Sequence, residues 1–201
     1  MLSSLLAAFQ GPGAGFMYAL TAVMAFGLAV LLERAWLLVL RWSVDEEAVL
    51  DALASDPETA LSQLGTHPTA RILKAGLAAP ADAVWDAMGA AAARVQVQVS
   101  QRVPYLATVG NIATMLGLLG TVYGLIVAFQ GLGDASAVER ATRLSDGIAT
   151  AMATTAYGLL VGIPALAAHA FLDGRVQHLL AFSEAAASAV AVHRASSTTD
   201  S

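Results

Sequence analysis

Apolar positions along the 201 residues gather into three long runs, separated by one polar block and one short polar loop. The first extends from about Phe16 to Leu40: apolar to Leu32, interrupted by Glu33 and Arg34, then resumed through Trp36 and Leu40. The second begins at Val103 and carries no charged residue as far as Gly133, ending as a helix near Phe129. The third, Gly147 to Leu172, is also uncharged. About 20 apolar residues are enough to cross a bilayer, so each run predicts a membrane helix. No run alternates with the period of two that marks a strand.

The intervening block, residues 41–102, reads as short helices. Asp45, Glu46, Glu47 and Asp51 place acids in the first turns of one, which suits the helix dipole. Asp56-Pro57-Glu58 starts another, with an Asp cap before a first-turn proline. His67 to Leu77 predicts a third, bearing Arg71 and Lys74. Pro80 opens a long Ala-rich helix, expected to run past Pro104 into the second span with a kink at most. Met1 to Gln10 reads as an interfacial helix ended by Gly11-Pro-Gly-Ala-Gly15. No basic stretch precedes its apolar residues, so the first span is expected to be a retained anchor. Residues 131–146 predict a loop, and Pro164 a kink in span three. The tail after Asp173 is amphipathic and Ala-rich, and its Ser/Thr-rich end is expected to be disordered.

Composition agrees. The chain is 57% hydrophobic and 12% charged, with a mean hydropathy of +0.67. A soluble domain carries about 25% charged residues, and a soluble Ala-rich bundle would have to accommodate three uncharged tracts. The fold class expected is therefore an all-α membrane protein, with three transmembrane helices and a small helical lobe. Arg41, Arg71, Lys74, Arg94 and Arg102 lie between spans one and two, whereas no Lys or Arg precedes span one. The positive-inside rule then assigns 1–15 and 131–146 to the outer side of the membrane, and 41–102 and 173–201 to the cytoplasm. The spans themselves are 16–40, 103–130 and 147–172.

Candidate chemistry is sparse. The chain has no cysteine, and His67, His169, His178 and His193 lack metal-ligand spacing. No metal or cofactor is expected. No nucleophile–base set or phosphate loop stands out, so an enzyme is not expected, and the net charge of -5 argues against nucleic acid as a partner. What the spans do carry is small and hydroxyl residues. Asn111, Thr114 and Thr121 share a face of span two, with Gly117, Gly120 and Gly124 beside them. In span three, Thr150 and Thr154 share a face with Tyr157 and Gly158, and Thr155, Gly158 and Gly162 form the adjacent one. Gly120/Gly124 and Gly158/Gly162 are GxxxG steps, which favour close helix packing. Thr hydroxyls in membrane helices often bond their own helix, but can also solvate an ion, so Thr114, Thr121, Thr150, Thr154 and Thr155 are the candidate ion-pathway residues. Spans two and three hold no Asp, Glu, Lys or Arg, so a conducting role needs a carboxylate from a partner. Glu33 is expected to pair at the interface with Arg34 or Arg41, and His169 to lie interfacially.

Gly117-Leu-Leu-Gly-Thr-Val-Tyr-Gly124 with Ala128-Phe129 resembles the MotA/TolQ/ExbB proton channel family. So does Gly147-Ile-Ala149 with Ala153-Thr-Thr-Ala-Tyr-Gly-Leu159 and Ile163-Pro-Ala165. Weaker echoes are Leu32-Glu-Arg34 and His67 to Gly76. Three spans resemble its ExbB/TolQ branch. The resemblance implies a homopentameric ring of this chain in the bacterial inner membrane, around two helices of an ExbD/TolR-like single-span partner with an intramembrane Asp. It implies that spans two and three line the pore and span one faces lipid. It further implies that Thr121 and Thr155 face the Asp, and that the proton motive force becomes mechanical work on the envelope, with a TonB/TolA-like protein as a further partner. Thr150 stands where some relatives have Glu. Thr154 beside Thr155 also occurs in sodium-driven relatives, so a sodium motor is an alternative, and a non-conducting scaffold is another.

Overall fold

The computed structural model describes residues 9–11, 13–130 and 136–199. All regular structure among them is helical. We number the α-helices α1 (Ala14–Ala35), α2 (Glu46–Ser55), α3 (Pro57–Leu64), α4 (Thr69–Ala78), α5 (Val84–Ser100), α6 (Val103–Phe129) and α7 (Ala137–Thr199). A π-helical turn, Trp36–Arg41, extends α1, and a 3-10 turn, Ala81–Ala83, precedes α5. Among the described residues, three stretches are long and apolar enough to cross a membrane: Ala14–Arg41, Val84–Phe129 and Ala137–Arg194. The expected interfacial helix at 1–10 lies almost wholly outside the described residues.

The chain divides into two compact units: residues 1–32 with 104–170, and 33–103 with 171–201. In the first, α1, α6 and the early part of α7 pack around Leu20, Ala113 and Val161, with Val23, Leu116 and Tyr157 against them. A polar contact joins the same helices: Thr21 Oγ1 lies 3.0 Å from the Tyr157 hydroxyl and itself donates to the Met17 carbonyl. Phe9 packs edge-on against Tyr18 and Tyr157.

In the second unit, the Asp56 cap forms as the sequence predicts, and Asp45, expected only as a first-turn acid, caps its helix as well. Asp45 Oδ1 accepts from the Ala48 amide, and Asp56 accepts from the Glu58 amide with Pro57 in the first turn. The Thr59 hydroxyl and the Glu58 amide hold the Asp56 carboxyl below the usual carboxylate range. Helices α4 and α5 pack together, with Gly76 seated on Met88. The tail of α7 contributes a buried stripe: Leu172, Val176, Leu179, Phe182, Ala186 and Val190. That three- and four-residue spacing buries one helix face.

Three boundaries differ from expectation. Helix α5 does not continue into α6: it stops at Ser100, and Arg102 adopts a positive φ of 68°. Pro104 explains the break, because its ring would clash with the residue 100 carbonyl in a continuous helix but fits the first turn of a new one. The polar loop is shorter than expected, since α7 begins at Ala137. Ser136 and Glu139 form a capping box: the Ser136 amide donates to Glu139 Oε2 at 2.9 Å, and the Glu139 amide donates to Ser136 Oγ at 3.3 Å. The Ser/Thr-rich tail expected to be disordered is helical through Thr199, in keeping with an Ala-rich run that has no Gly or Pro beyond Gly174. Helix α7 also runs through Pro164 without ending, although that proline cannot donate to the Leu160 carbonyl.

Candidate functional site

The small residues of α6 and α7 do meet. A Cβ placed on Gly117 would lie 3.1 Å from the Gly158 Cα, and one on Gly158 would lie 2.7 Å from the Ala113 carbonyl oxygen. Further along, Gly124 faces the Ala151 amide and the Gly147 carbonyl, while Gly162 faces Thr114 and the Gly110 carbonyl. Residue numbers rise on α6 as they fall on α7, so the two helices run antiparallel. Only residues without bulky side chains allow backbones this close. The GxxxG steps are therefore used within one chain.

The five threonines are placed differently. Thr154 is fully buried. Its Cβ and hydroxyl sit on Gly120, and the hydroxyl donates to its own helix, at Thr150 O and Ala151 O. Thr150 is also buried; it donates to the Asp146 carbonyl at 2.9 Å, and its methyl abuts Gly13. Thr114 donates to the Gly110 carbonyl at 2.9 Å. Thr121 is half-buried and donates to the Leu118 carbonyl. Thr155 alone reaches across: half-buried, its hydroxyl donates 3.2 Å to the Gly117 carbonyl of α6. Gly117 lies one turn from Thr121, so Thr121 and Thr155 border the same stretch of the α6–α7 seam. Asn111, expected on that face of α6, is exposed.

Around Thr114, Thr121, Thr154 and Thr155 neither helix places a formal charge, because α6 has none and α7 has none from Gly147 to Leu172; Asp146 lies one turn from Thr150. A hydroxyl already donating to a carbonyl keeps its lone pairs free. Such an oxygen can accept a proton-bearing group or touch a cation, but it cannot store a proton.

Sequence reading missed two polar clusters in the second unit. Glu33 pairs with Arg102, not chiefly with Arg34 or Arg41. Arg102 Nη1 lies 2.7 Å from both carboxylate oxygens, whereas Arg34 stands 4.0 Å away and Arg41 lies over the Trp36 ring. In the other cluster, buried Thr69 Oγ1 lies 2.7 Å from Ser183 Oγ, which bonds the Leu179 carbonyl. His67 beside it accepts from the Thr69 amide and packs edge-on against Phe182. Burial pushes the His67 pKa down to about 4, partly offset by its hydrogen bond to the Trp42 backbone. The clue available was the position of His67 just before a helix start.

A family model described as "MotA/TolQ/ExbB proton channel family" matches residues 65–185. The chain is 37% identical over 94 residues to the Tol-Pal system protein TolQ of Pseudomonas aeruginosa, covering 47% of this chain and 40% of that protein. It is 41% identical over 92 residues to the TolQ of Haemophilus influenzae, covering 45% and 39%. To the biopolymer transport protein exbB1 of Vibrio cholerae it is 47% identical over 62 residues, covering 31% and 27%. The matched segments thus span less than half of each of these relatives.

Proposed function

Since this chain belongs to the MotA/TolQ/ExbB proton channel family, we propose that it is the ion-conducting subunit of an ExbB/TolQ-type complex in the bacterial inner membrane. In this reading five copies surround two helices of an ExbD/TolR-like partner, whose intramembrane Asp takes up and releases protons. The N-terminus faces the periplasm, while residues 41–102 and the tail face the cytoplasm. Ion passage turns ring and partner against each other and does work on the envelope. Helices α6 and α7 line the pore. Thr121 and Thr155 accept the partner's protonated carboxyl, while Thr114, Thr150 and Thr154 hold the wall in shape behind them.

One observation carries this reading. The half-buried hydroxyl of Thr155, tied to Gly117 one turn from Thr121, borders an uncharged seam between two apolar helices. Hydroxyls without a titrating group complement a carboxylate that comes from elsewhere. The test is ion flux through the complex reconstituted in vesicles, with Thr121→Val and Thr155→Val. Flux should be lost while the oligomer persists on native mass spectrometry. Full flux in both variants would overturn the threonine roles, and an oligomer stable without any Asp-bearing single-span protein would favour a scaffold.

A further inference from the structure

Where the first apolar run ends, the second unit has a cleft of about 410 Å³ lined by Arg34, Arg41, Arg71 and Arg102, with Glu33 as its one carboxylate. Thr66, Gln98, Gln101 and Trp42 complete its polar lining. Arg34 is 5% exposed, and its Nε has no hydrogen-bond partner. Buried donors are nearly always satisfied, so the Arg34 guanidinium, among the residues that line the cleft, keeps hydrogen-bonding capacity that the protein leaves unused. Glu33 cannot satisfy four guanidiniums: it is held by both oxygens against Arg102. Arg102 reaches it from a left-handed backbone, a conformation that costs energy in a residue other than glycine. Arg71 is braced by Gln98, and Arg41 lies 5.7 Å over the Trp36 ring. Three of the four guanidiniums are thus held in place, the fourth is buried, and the cleft keeps an excess of positive charge.

We infer that this cleft binds a phosphate group, through the Arg34, Arg41 and Arg71 guanidiniums. Arginine forks match phosphate oxygens, and fixed forks lose little freedom on binding. The location favours the headgroup of an anionic phospholipid. Trp36 and Trp42 flank the cleft at the end of an apolar span, where aromatic rings mark the headgroup level and basic pockets collect anionic lipids. Free phosphate would satisfy the same donors, and the two sources separate on titration.

The experiment is native mass spectrometry of the purified full-length protein in mild detergent. It is titrated with phosphatidylglycerol, with phosphatidylcholine and, separately, with inorganic phosphate. In the double variant Arg41→Gln/Arg71→Gln, both positions exposed, binding should fall at least about tenfold. The variant Lys74→Gln/Arg94→Gln removes two charges outside the cleft and should bind as the parent does. Loss of phosphatidylglycerol binding supports a headgroup site, and loss of inorganic phosphate binding alone supports a free-anion site. Equal losses in both double variants would reduce the effect to net charge and overturn the site. So would binding that neither variant alters, or no binding of any probe by the parent.

Discussion

Thr155 on α7 donates its hydroxyl to the Gly117 carbonyl on α6, 38 positions away in the chain, whereas its neighbour Thr154 bonds only its own helix. Two adjacent hydroxyls therefore have different work: one ties two helices, the other fills the contact between them. Replacing Thr155 with Val removes an interhelical bond worth about 0.6–2 kcal/mol. A shift in melting temperature of a few degrees in detergent is expected, with the protein still helical. Thr155→Ser keeps the donor and should keep the parent's flux.

Gly158→Ala should be far more disruptive. Its new methyl would meet the Ala113 carbonyl oxygen at 2.7 Å and the Gly117 Cα at 2.8 Å, both backbone atoms that cannot rotate away. Overpacking of this kind costs about 1–3 kcal/mol. Gly174→Ala is the control: the same helix has open space there, and Ala is favoured over Gly in a helix by up to about 1 kcal/mol. Thermal melts should move in opposite directions for the two variants.

Arg102 combines an ion pair with an unfavourable backbone. Its pair with Glu33 is half-exposed, and such pairs contribute about 0–1 kcal/mol. Arg102→Gly loses the pair but relieves the left-handed φ, so stability should change little. Arg102→Ala loses the pair and keeps the backbone cost, and should melt lower than Arg102→Gly. Equal melting of the two would show that the φ of 68° carries no strain.

His67 gives the second unit a pH dependence. Its folded pKa of about 4 lies below its ordinary value of 6.5. The folded state thus binds its proton less readily than the unfolded chain. The associated stability is present in full above pH 6.5 and is lost as pH falls toward 4, with a slope approaching about 1.4 kcal/mol per pH unit. Melting curves of the parent and of His67→Asn, taken between pH 7 and 4, should differ in slope across that window. Parallel curves would show that His67 titrates normally in the folded protein.

The sequence was most informative where the physics is local. Three apolar runs, the Asp56 cap and the glycine spacings needed only neighbouring residues to be read, and all appear as helices, a cap and close contacts. The capping box at Ser136 and Glu139 was equally local, yet the charges around it read as loop. Pro104 signalled a disturbance, but whether a helix bends or breaks there depends on a residue willing to take a positive φ, and Arg102 is an unusual choice. Partners distant in the chain were out of reach. Glu33 and Arg102 are separated by 69 positions, and Thr69 and Ser183 by 114. Helical spacing put Thr154 and Thr155 on adjacent faces without telling which one a neighbouring helix would meet.

The glycine seam has a mechanical consequence. Where backbone lies on backbone, at Gly117 with Gly158 and at Gly124 with Gly147 and Ala151, no side chain stands between the helices that could change rotamer and let one slide past the other. Interlocked α6 and α7 then form a stiff two-helix stave: a torque on either is transmitted to both, with little lost to shear within the pair.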